Sequence, residues 1–293
     1  MPTERIKTVA VTGANGQLGK ELALISRLYP QFQFSFLSRE NFPLGDPEKM
    51  ELWLSGHPVD VLINCAAYTA VDKAESETAD AYKINGDGPG IIARLLSEHG
   101  GKLIQLSTDY VFDGHSSKPL NEEALTNPIN IYGASKLKGE RSAMANNPQT
   151  LVIRTSWLYS SFGNNFVKTM MRLMKTKESI QVVSDQKGSP TYAADLASAI
   201  LTILCADKFI PGIYHYSNEG ETTWYEFAKE IKKITGSSCT ISPVESSGYP
   251  TAARRPAYSL LDKSKIKRDY NLAVPGWKTS LAICIETILK SEM

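Results

Sequence analysis

Cysteine and histidine are scarce in this chain, and the few present are scattered. There are four cysteines (Cys65, Cys205, Cys239 and Cys284) and four histidines, and the cysteines form no Cys-x-x-Cys pair. Zinc sites and disulfide frameworks need such residues at short, regular spacings. The sequence therefore predicts neither, and since it contains no compelling cluster of carboxylates we expect no bound metal.

An excess of charge of one sign and a long apolar run are also missing. Lysine and arginine number 32 and aspartate and glutamate 31, so the net charge is +1. This balance argues against nucleic acid or an anionic membrane as the main partner, because both select clustered basic charge. No apolar run reaches the length of about 18 residues that a membrane-spanning helix needs, and the start of the chain does not have the pattern of a secretory signal. We expect a cytoplasmic protein.

What the chain does have is a regular alternation of short apolar runs and longer amphipathic ones. Buried strands are predicted at residues 6–12, 32–37, 59–64, 102–107 and 151–155. Helices are predicted between them at residues 17–28, 47–54, 75–83, 90–98 and 134–145. Alternating strands and helices, with strands apolar throughout, are typical of a parallel sheet covered by helices on both faces. The sequence therefore predicts an α/β fold with a doubly wound parallel sheet.

The second half of the chain is less regular. Its predicted elements are helices at 167–174, 193–204, 224–234 and 278–289 and strands at 180–183 and 213–216. Residues 237–256 are rich in serine, proline and glycine, which predicts a long loop, and long loops in compact domains are usually functional. We expect two units. Residues 1–156, with a returning segment 180–206, form the first, and residues 157–179 and 207–293 form a smaller, mixed C-terminal one.

A glycine-rich loop follows the first predicted strand. Gly13, Gly16 and Gly19 are spaced G-x-x-G-x-x-G, and a helix opens within the motif. Glycines permit a tight turn and let backbone N–H groups approach a pyrophosphate, while the helix N-terminus supplies partial positive charge. The alternative is a plain strand-to-helix turn, but the position directly after the first strand favours dinucleotide binding.

The second predicted strand ends without the acidic residue that bonds the ribose hydroxyl of NAD. The chain there reads Leu37-Ser38-Arg39. An arginine tolerates the 2′-phosphate of NADP at this place. Arg39 therefore favours NADPH, with NADH still possible, and the alternative is a solvated arginine at a strand end.

A tyrosine and a lysine lie four residues apart at Tyr132 and Lys136, spacing that puts both on one face of a helix. Thr108 ends the fourth predicted strand, and ligands of open α/β sheets bind beyond the carboxyl ends of strands. Reduction of a carbonyl needs a proton donor, which Tyr132 can be, and a neighbouring ammonium favours the phenolate form. We therefore expect Lys136 to lower the pKa of Tyr132, and Thr108 to hold the carbonyl oxygen.

Two adjacent arginines, Arg254 and Arg255, lie in the predicted loop of the second half. Arginine can bind phosphate through two parallel hydrogen bonds. The loop could close over the pyrophosphate of a nucleotide, or its arginines could form salt bridges between the two units.

Taken together, six blocks of sequence resemble the extended short-chain dehydrogenase/reductase family. The blocks run in order through the chain at residues 12–19, 64–75, 107–114, 132–136, 154–159 and 188–191. The resemblance implies a Rossmann-type NADPH-binding domain, a smaller substrate-binding domain and a nucleotide-sugar substrate. Within the family, the chain most resembles members that reduce a 4-keto sugar. That resemblance implies hydride delivery from NADPH to C4 of dTDP-4-dehydro-L-rhamnose.

The motifs and the resemblance assign roles to individual residues. The cofactor-binding set is Gly13, Gly16, Gln17, Leu18, Gly19, Arg39, Asp46, Ala66, Ala67, Tyr68 and Leu106, with Tyr132 and Lys136 at the nicotinamide ribose. The catalytic set is Tyr132 as proton donor, Lys136 as its partner and Thr108. The substrate-binding set is Thr69, Val71, Thr108, Asp109, Tyr110, Trp157 and Arg255.

Other functions remain open at this point. The chain could be a non-catalytic regulatory subunit that keeps the fold and the cofactor, although the intact Thr108, Tyr132 and Lys136 favour catalysis. It could act on another nucleotide-linked 4-keto sugar or be an epimerase. A dehydratase is disfavoured because Thr108 is followed by Asp109-Tyr110 rather than by Asp-Glu. A homodimer is possible.

Overall fold

The computed structural model describes residues 7–291 and contains twelve strands and eleven α-helices within that range. The strands are β1 Lys7–Thr12, β2 Phe32–Leu37, β3 Val61–Asn64, β4 Lys102–Thr108, β5 Thr150–Thr155, β6 Leu158–Tyr159, β7 Ser179–Val183, β8 Lys187–Gly188, β9 Thr191–Tyr192, β10 Gly212–His215, β11 Thr222–Thr223 and β12 Thr240–Val244. The helices are α1 Gln17–Ile25, α2 Pro47–Gly56, α3 Val71–Ala74, α4 Thr78–Ala81, α5 Gly88–Glu98, α6 Ile131–Asn146, α7 Phe166–Thr176, α8 Ala193–Cys205, α9 Trp224–Thr235, α10 Ser264–Tyr270 and α11 Trp277–Ser291. None of these helices is long and apolar enough to cross a membrane.

Six strands form one sheet in the order β10-β5-β4-β3-β1-β2, and every neighbouring pair is parallel. The chain moves from β1 to β2 on one side and then returns past β1 to β3 on the other. At such a reversal the connections leave a crevice beyond the carboxyl ends of the strands. The predicted doubly wound parallel sheet is confirmed, and Ile6, the first residue of the predicted first strand, lies outside the described residues.

The sheet is buried on both faces, which is why its strands are apolar throughout. Val9 and Val11 face a core formed with α1, α8 and α10, whereas Ala10 faces a second core formed with α2 and α5. Successive side chains of a strand point to opposite faces, so each face requires its own apolar residues. These two cores anchor the strand ends on which the site is built.

The helix predicted at residues 75–83 is wrong in its bounds. The chain instead forms the short helices α3 and α4, then a π-helical turn at Tyr82–Asp87, and then α5. The turn packs closely against α6, since a Cβ on Gly139 would lie 2.0 Å from the carbonyl oxygen of Asn85. A π-helical turn adds a residue to the helix locally and is frequent at functional sites.

Three two-stranded sheets lie outside the main sheet: β6 with β9, β7 with β12, and β8 with β11. A separate core beside them is a cluster of aromatic, methionine and aliphatic side chains, mostly from α7, α9 and α11. Four strands pair differently from the expected division of the chain. β7, β8 and β9, expected with the first unit, pair with strands of these small sheets, whereas β10, expected with the second unit, extends the main sheet beside β5. A short apolar strand fits several sheet edges equally well, so local pattern does not reveal which edge it joins.

The loop predicted at residues 237–256 contains regular structure in its first half. β12 and a 3₁₀ turn at Ser246–Gly248 occupy it, and the remainder is irregular. Helix α10 was not predicted, yet its Ile266 and Tyr270 are buried in the main core. The irregular remainder of the loop returns to the main sheet side and reaches the crevice.

Candidate active site

The glycine loop lies between β1 and α1, at the crevice. Gly13 has φ +68°, and a Cβ there would lie 2.8 Å from the backbone nitrogen of Ala66. A Cβ on Gly19 would lie 2.3 Å from the carbonyl oxygen of Gly13, so the helix can pack on the loop only with glycine at this position. Gly16 precedes Gln17 and Leu18 as the N-cap and has no side chain to cap them, which leaves first-turn N–H groups free to bind an anion.

The end of β2 lies beside this loop. The backbone N–H of Ala14 donates to the carbonyl of Leu37 at 3.1 Å, and Arg39 follows two residues later with its side chain exposed to solvent. Asp46 lies farther along as the N-cap of α2, where its carboxylate accepts a hydrogen bond from the N–H of Lys49 at 3.2 Å. Arg39 is therefore available to a ligand at the loop, whereas Asp46 already has a structural role.

A buried ladder of side chains joins the ends of three strands. Thr12 donates to Asn64 at 2.6 Å, and Asn64 donates to Gln105 at 2.8 Å. The Thr12 hydroxyl also accepts the N–H of Ala66 at 3.3 Å. Polar groups this deeply buried require such pairing. The ladder sets the path of the segment Ala66–Ala67 that leaves β3 toward the glycine loop.

Asn85, in the π-helical turn, holds the backbone of Tyr68. Its side chain accepts the N–H of Tyr68 at 2.8 Å and donates to the Tyr68 carbonyl at 3.0 Å and to the hydroxyl of Ser135 at 3.1 Å. Ser135 in turn donates to the carbonyl of Tyr132 at 2.8 Å. The Tyr68 hydroxyl donates to Glu77, which raises the pKa of Tyr68 to about 12. One asparagine thus connects the loop after β3 to the helix that carries Tyr132.

Helix α6 begins at the crevice for local reasons. Asn130 caps it by accepting the N–H of Gly133 at 2.7 Å. A Cβ on Gly133 would lie 2.1 Å from the carbonyl oxygen of Tyr110, so glycine is needed for the helix to approach that segment. This close approach brings Tyr132 within hydrogen-bonding reach of Thr108, at the carboxyl end of β4.

The electrostatics of Tyr132 differ from the expectation drawn from its spacing to Lys136. Burial raises the pKa of Tyr132 to about 12, although the hydrogen bond with Thr108 acts in the opposite direction. Lys136 is 5% exposed, and its Nζ donates to the carbonyl of Leu106 at 2.6 Å. Burial also lowers the pKa of Lys136 to about 8. In this geometry the phenol is protonated at neutral pH.

Asp109 and Tyr110 follow Thr108 in a 3₁₀ turn. The Thr108 hydroxyl donates to Asp109 at 3.1 Å, and burial raises the pKa of Asp109 to about 6. The ring of Tyr110 meets that of Tyr132 edge to face, with centroids 5.7 Å apart. These side chains surround Tyr132 with polar groups that have little access to water.

The rim of the crevice joins α3 to the irregular loop of the second half. Arg255 donates to Asp72 through two nitrogens at 3.2 and 2.8 Å, and this pairing lowers the pKa of Asp72. The N–H of Ala253 also donates to Asp72 at 3.0 Å. Asn130 donates to the carbonyl of Arg254 at 2.7 Å. Arg255 thus forms a salt bridge that links the irregular loop of the second half of the chain to α3.

Trp157, just beyond β5, has a strained backbone. Its φ is +48°, a left-handed conformation that costs a bulky residue roughly 1–3 kcal/mol. The Trp157 ring stacks on the Trp224 ring with centroids 3.8 Å apart. A Cβ on Gly188 would lie 3.0 Å from two atoms of the Trp157 indole, Cε2 and Cζ2. Trp224 therefore packs on the indole of Trp157, and Gly188 leaves room for it.

Comparison with known proteins agrees with this geometry. The family model for the RmlD substrate binding domain matches residues 7–290. The chain belongs to this family. A dTDP-4-dehydrorhamnose reductase of Sinorhizobium fredii (strain NBRC 101917 / NGR234) is 41% identical over 281 residues, which cover 93% of this chain and 94% of the relative.

Two solved structures of dTDP-4-dehydrorhamnose reductases are similar to this RmlD family member over nearly their whole length. The Clostridium acetobutylicum ATCC 824 protein has a TM-score of 0.92 and 37% identity, covering 96% of this chain and 99% of that one. The Bacillus anthracis str. Ames protein, solved in complex with NADP, has a TM-score of 0.92 and 38% identity with the same coverage.

In this RmlD family member, the three residues expected to be catalytic lie together at one end of β4. The glycine loop contacts the start of the segment after β3, and Asn85 links that segment to Ser135 of α6. Thr69 is exposed and Val71 half-buried at the start of α3, on the rim. Asp46 differs from the other predicted cofactor residues, because its carboxylate already caps α2.

Sequence reasoning missed three residues of this site. Asp72 is one of them, and it pairs with Arg255 across the rim. Glu140 and Arg154 form an ion pair whose two side chains are each 2% exposed. The sequence contains a signal for each of these two residues. Glu140 lies one helical turn beyond Lys136, and Arg154 is a charged residue within an otherwise apolar strand.

Proposed function

We propose that this chain is an NADPH-dependent dTDP-4-dehydrorhamnose reductase, which reduces the 4-keto group of dTDP-4-dehydro-L-rhamnose to give dTDP-L-rhamnose. The observation that carries the proposal is the joint position of Thr108, Tyr132 and Lys136 at the end of β4, beside the glycine loop. The relatives named above support the choice of reaction.

The glycine loop fits the pyrophosphate of a dinucleotide. A Cβ on Gly13 would meet the backbone of Cys65 and Ala66 after β3, and a Cβ on Gly19 would meet the loop itself, so both close approaches need glycine. Gln17 and Leu18 would present their N–H groups to the phosphates, and Gly16, whose own N–H donates to the carbonyl of Gly13 at 2.9 Å, has no side chain to keep the phosphates away. When bound, NADPH supplies the hydride, and the NADP complex of the Bacillus anthracis relative supports this cofactor.

The remaining cofactor contacts follow from position along the crevice. Ala66, Ala67 and Tyr68 line the cofactor beside Leu106, and Arg39 lies at the adenosine end, where its guanidinium suits a 2′-phosphate. Asp46 borders that end while capping α2. Lys136, which donates to the Leu106 carbonyl, would also bond the nicotinamide ribose.

Tyr132 acts as the proton donor, and its raised pKa suits this direction of reaction. A phenol with a pKa of about 12 keeps its proton at neutral pH. An alkoxide formed at the sugar C4 is more basic than a phenolate, so the proton passes from Tyr132 to the sugar oxygen. Thr108 holds that oxygen in line with the phenol.

The substrate pocket is formed by side chains on both sides of Tyr132. Asp109, Tyr110 and Trp157 shape the space for the sugar, while Thr69 and Val71 border it from the rim. Arg255 lies on the same rim, and it can exchange its carboxylate partner for a phosphate oxygen because both accept a bidentate arginine.

The test is turnover with NADPH and a panel of nucleotide-linked 4-keto sugars, followed by loss of the reduced nicotinamide absorbance and identification of the product. Tyr132→Phe should lower kcat about 10²- to 10⁴-fold, the usual contribution of a positioned acid, with NADPH affinity nearly unchanged. Tyr249→Phe, at a tyrosine that is 58% exposed, is the control.

The outcomes separate the alternatives. NADPH binding without turnover of any 4-keto sugar would favour the non-catalytic subunit, and preference for a different sugar would favour another 4-ketoreductase. Full activity in Tyr132→Phe would remove the assigned acid. Cytoplasmic location and a homodimer stay predictions, which cell fractionation and sedimentation analysis can check.

A further inference from the structure

Helix α6 carries a third polar side chain on the face that presents Tyr132 and Lys136. Glu140 lies one turn beyond Lys136, and side chains four residues apart on a helix are neighbours. Glu140 is 2% exposed and Lys136 5% exposed, so both are held in the interior between α6 and the sheet. A buried carboxylate one turn from a buried ammonium interacts with it with little screening by water.

The position of the Glu140 carboxylate is determined by its own hydrogen bonds. Arg154, from β5, donates to it from Nε at 3.0 Å and from Nη2 at 2.8 Å. The hydroxyl of Ser107, from β4, donates to the same carboxylate. Because partners on two strands hold it, Glu140 cannot turn toward Lys136 or away from it without breaking these bonds.

Lys136 depends on neighbouring charge because its hydrogen-bond acceptor, the Leu106 carbonyl, is neutral. Burial lowers the pKa of Lys136 to about 8, and Glu140 is the largest influence in the opposite direction, ahead of Cys65. His215 lies near Arg154 but adds no charge, since burial and Arg154 lower its pKa to about 3. Glu140 is thus the main source of negative potential at the lysine.

Stability alone is a weak reason to bury this pair. Taking a carboxylate and a guanidinium out of water is costly, and apolar residues of similar volume often replace such pairs without loss of stability. Glu140 lies one helical turn from Lys136, where its negative charge can act on the ammonium.

We propose that Glu140 is a positioning residue of the reductase site: its carboxylate, locked by Arg154 and Ser107, keeps the ammonium of Lys136 charged and directed at the Leu106 carbonyl beside Tyr132. The inference rests on the proposed function for its catalytic consequence. Its electrostatic part concerns this chain alone and can be measured without substrate.

The variant Glu140→Gln removes the charge and keeps the shape, so the pKa of Lys136 should fall by about one unit or more. Lysine loses its charge as pH rises through its pKa. The alkaline limb of the pH profile of kcat should therefore move to lower pH. For a shift of one unit from a pKa of about 8, activity relative to wild type should fall about sixfold between pH 6.5 and 8.5. The carbon-13 resonance of Lys136 Cε, assigned with Lys136→Arg, reports the same pKa in cofactor-free protein.

Three further variants distinguish an effect of the Glu140 charge on Lys136 from a general effect on folding. Glu140→Asp keeps the charge, so its limb should stay near that of wild type. The double variant Glu140→Gln/Arg154→Met removes both charges without leaving either unpaired. Its limb should move in the same direction as that of Glu140→Gln but by less, because the positive charge of Arg154 is lost as well. Glu219→Gln, at another carboxylate that pairs with a buried lysine, Lys263, should leave the limb unchanged.

An unshifted limb together with an unshifted Lys136 resonance in both Glu140→Gln and the double variant overturns the inference, and so does an equal loss of activity at every pH. Failure of the wild-type protein to reduce any nucleotide-linked sugar would instead defeat the proposed function. In that case the Lys136 titration alone decides whether Glu140 controls the charge of the lysine.

Discussion

Two carboxylate–guanidinium pairs flank the candidate proton donor, one at the floor of the crevice and one at its rim. At the floor, the side chains of Glu140 and Arg154 are each 2% exposed. At the rim, the side chains of Arg255 and Asp72 are 23% and 46% exposed. Three hydrogen bonds join the floor pair and two join the rim pair, all between 2.8 and 3.2 Å. The surroundings differ much more, and burial decides what each pair does.

Water accounts for the difference. At the rim, solvent screens the charges, so the pair contributes little to stability and either partner can be exchanged for a ligand. At the floor, solvent is excluded, so each charge depends on the other and their field reaches Lys136. The same chemical pair therefore serves as an exchangeable contact in one place and as a fixed source of potential in the other.

The largest expected effect comes from breaking the ion pair at the floor. Arg154→Met should lower the free energy of unfolding by about 3–5 kcal/mol, because it leaves Glu140 charged and buried without a partner. The double variant with Glu140→Gln should recover most of this loss. Urea unfolding at neutral pH measures both, and a loss in the single variant of less than about 1 kcal/mol would contradict the contrast with the rim.

A smaller effect concerns Asp109, the other buried carboxyl beside Tyr132. Its pKa is raised to about 6 from 3.8, so the folded protein binds this proton more tightly than the unfolded chain does. Stability should then fall as pH rises from about 4 to 6, by at most about 3 kcal/mol. Asp109→Asn removes this dependence and should be more stable than wild type at pH 8. Parallel stability profiles for the two proteins over that window would refute the prediction.

The smallest expected effect is at the rim. Asp72→Asn should change the free energy of unfolding by less than about 1 kcal/mol, as for other half-exposed pairs. Arg255→Ala should have a similarly small effect on stability and, if Arg255 takes up a phosphate of the substrate, should raise KM for the sugar nucleotide while Asp72→Asn does not. Equal KM values for both variants would leave the salt bridge as the role of Arg255.

The contrast also shows which parts of the site are open to prediction from sequence. Tyr132 and Lys136 could be placed because their spacing is local and because a parallel sheet brings strand ends to one edge. Asp72 could not, because its partner is 183 residues away. Lys136 lies on the same helix as Tyr132, as its spacing predicts, but its contact with the Leu106 carbonyl and the raised pKa of Tyr132 follow from burial, which spacing does not report.

By itself, the sequence determined the doubly wound parallel sheet, the glycine loop and the helix that carries Tyr132 and Lys136, because strand periodicity, glycine and helical spacing act over a few residues. Only the tertiary structure decided that β10 completes the main sheet, that Arg255 reaches Asp72, and that Glu140 and Arg154 meet behind the lysine. Those outcomes depend on which distant segments exclude water together, and that is a property of the packed molecule.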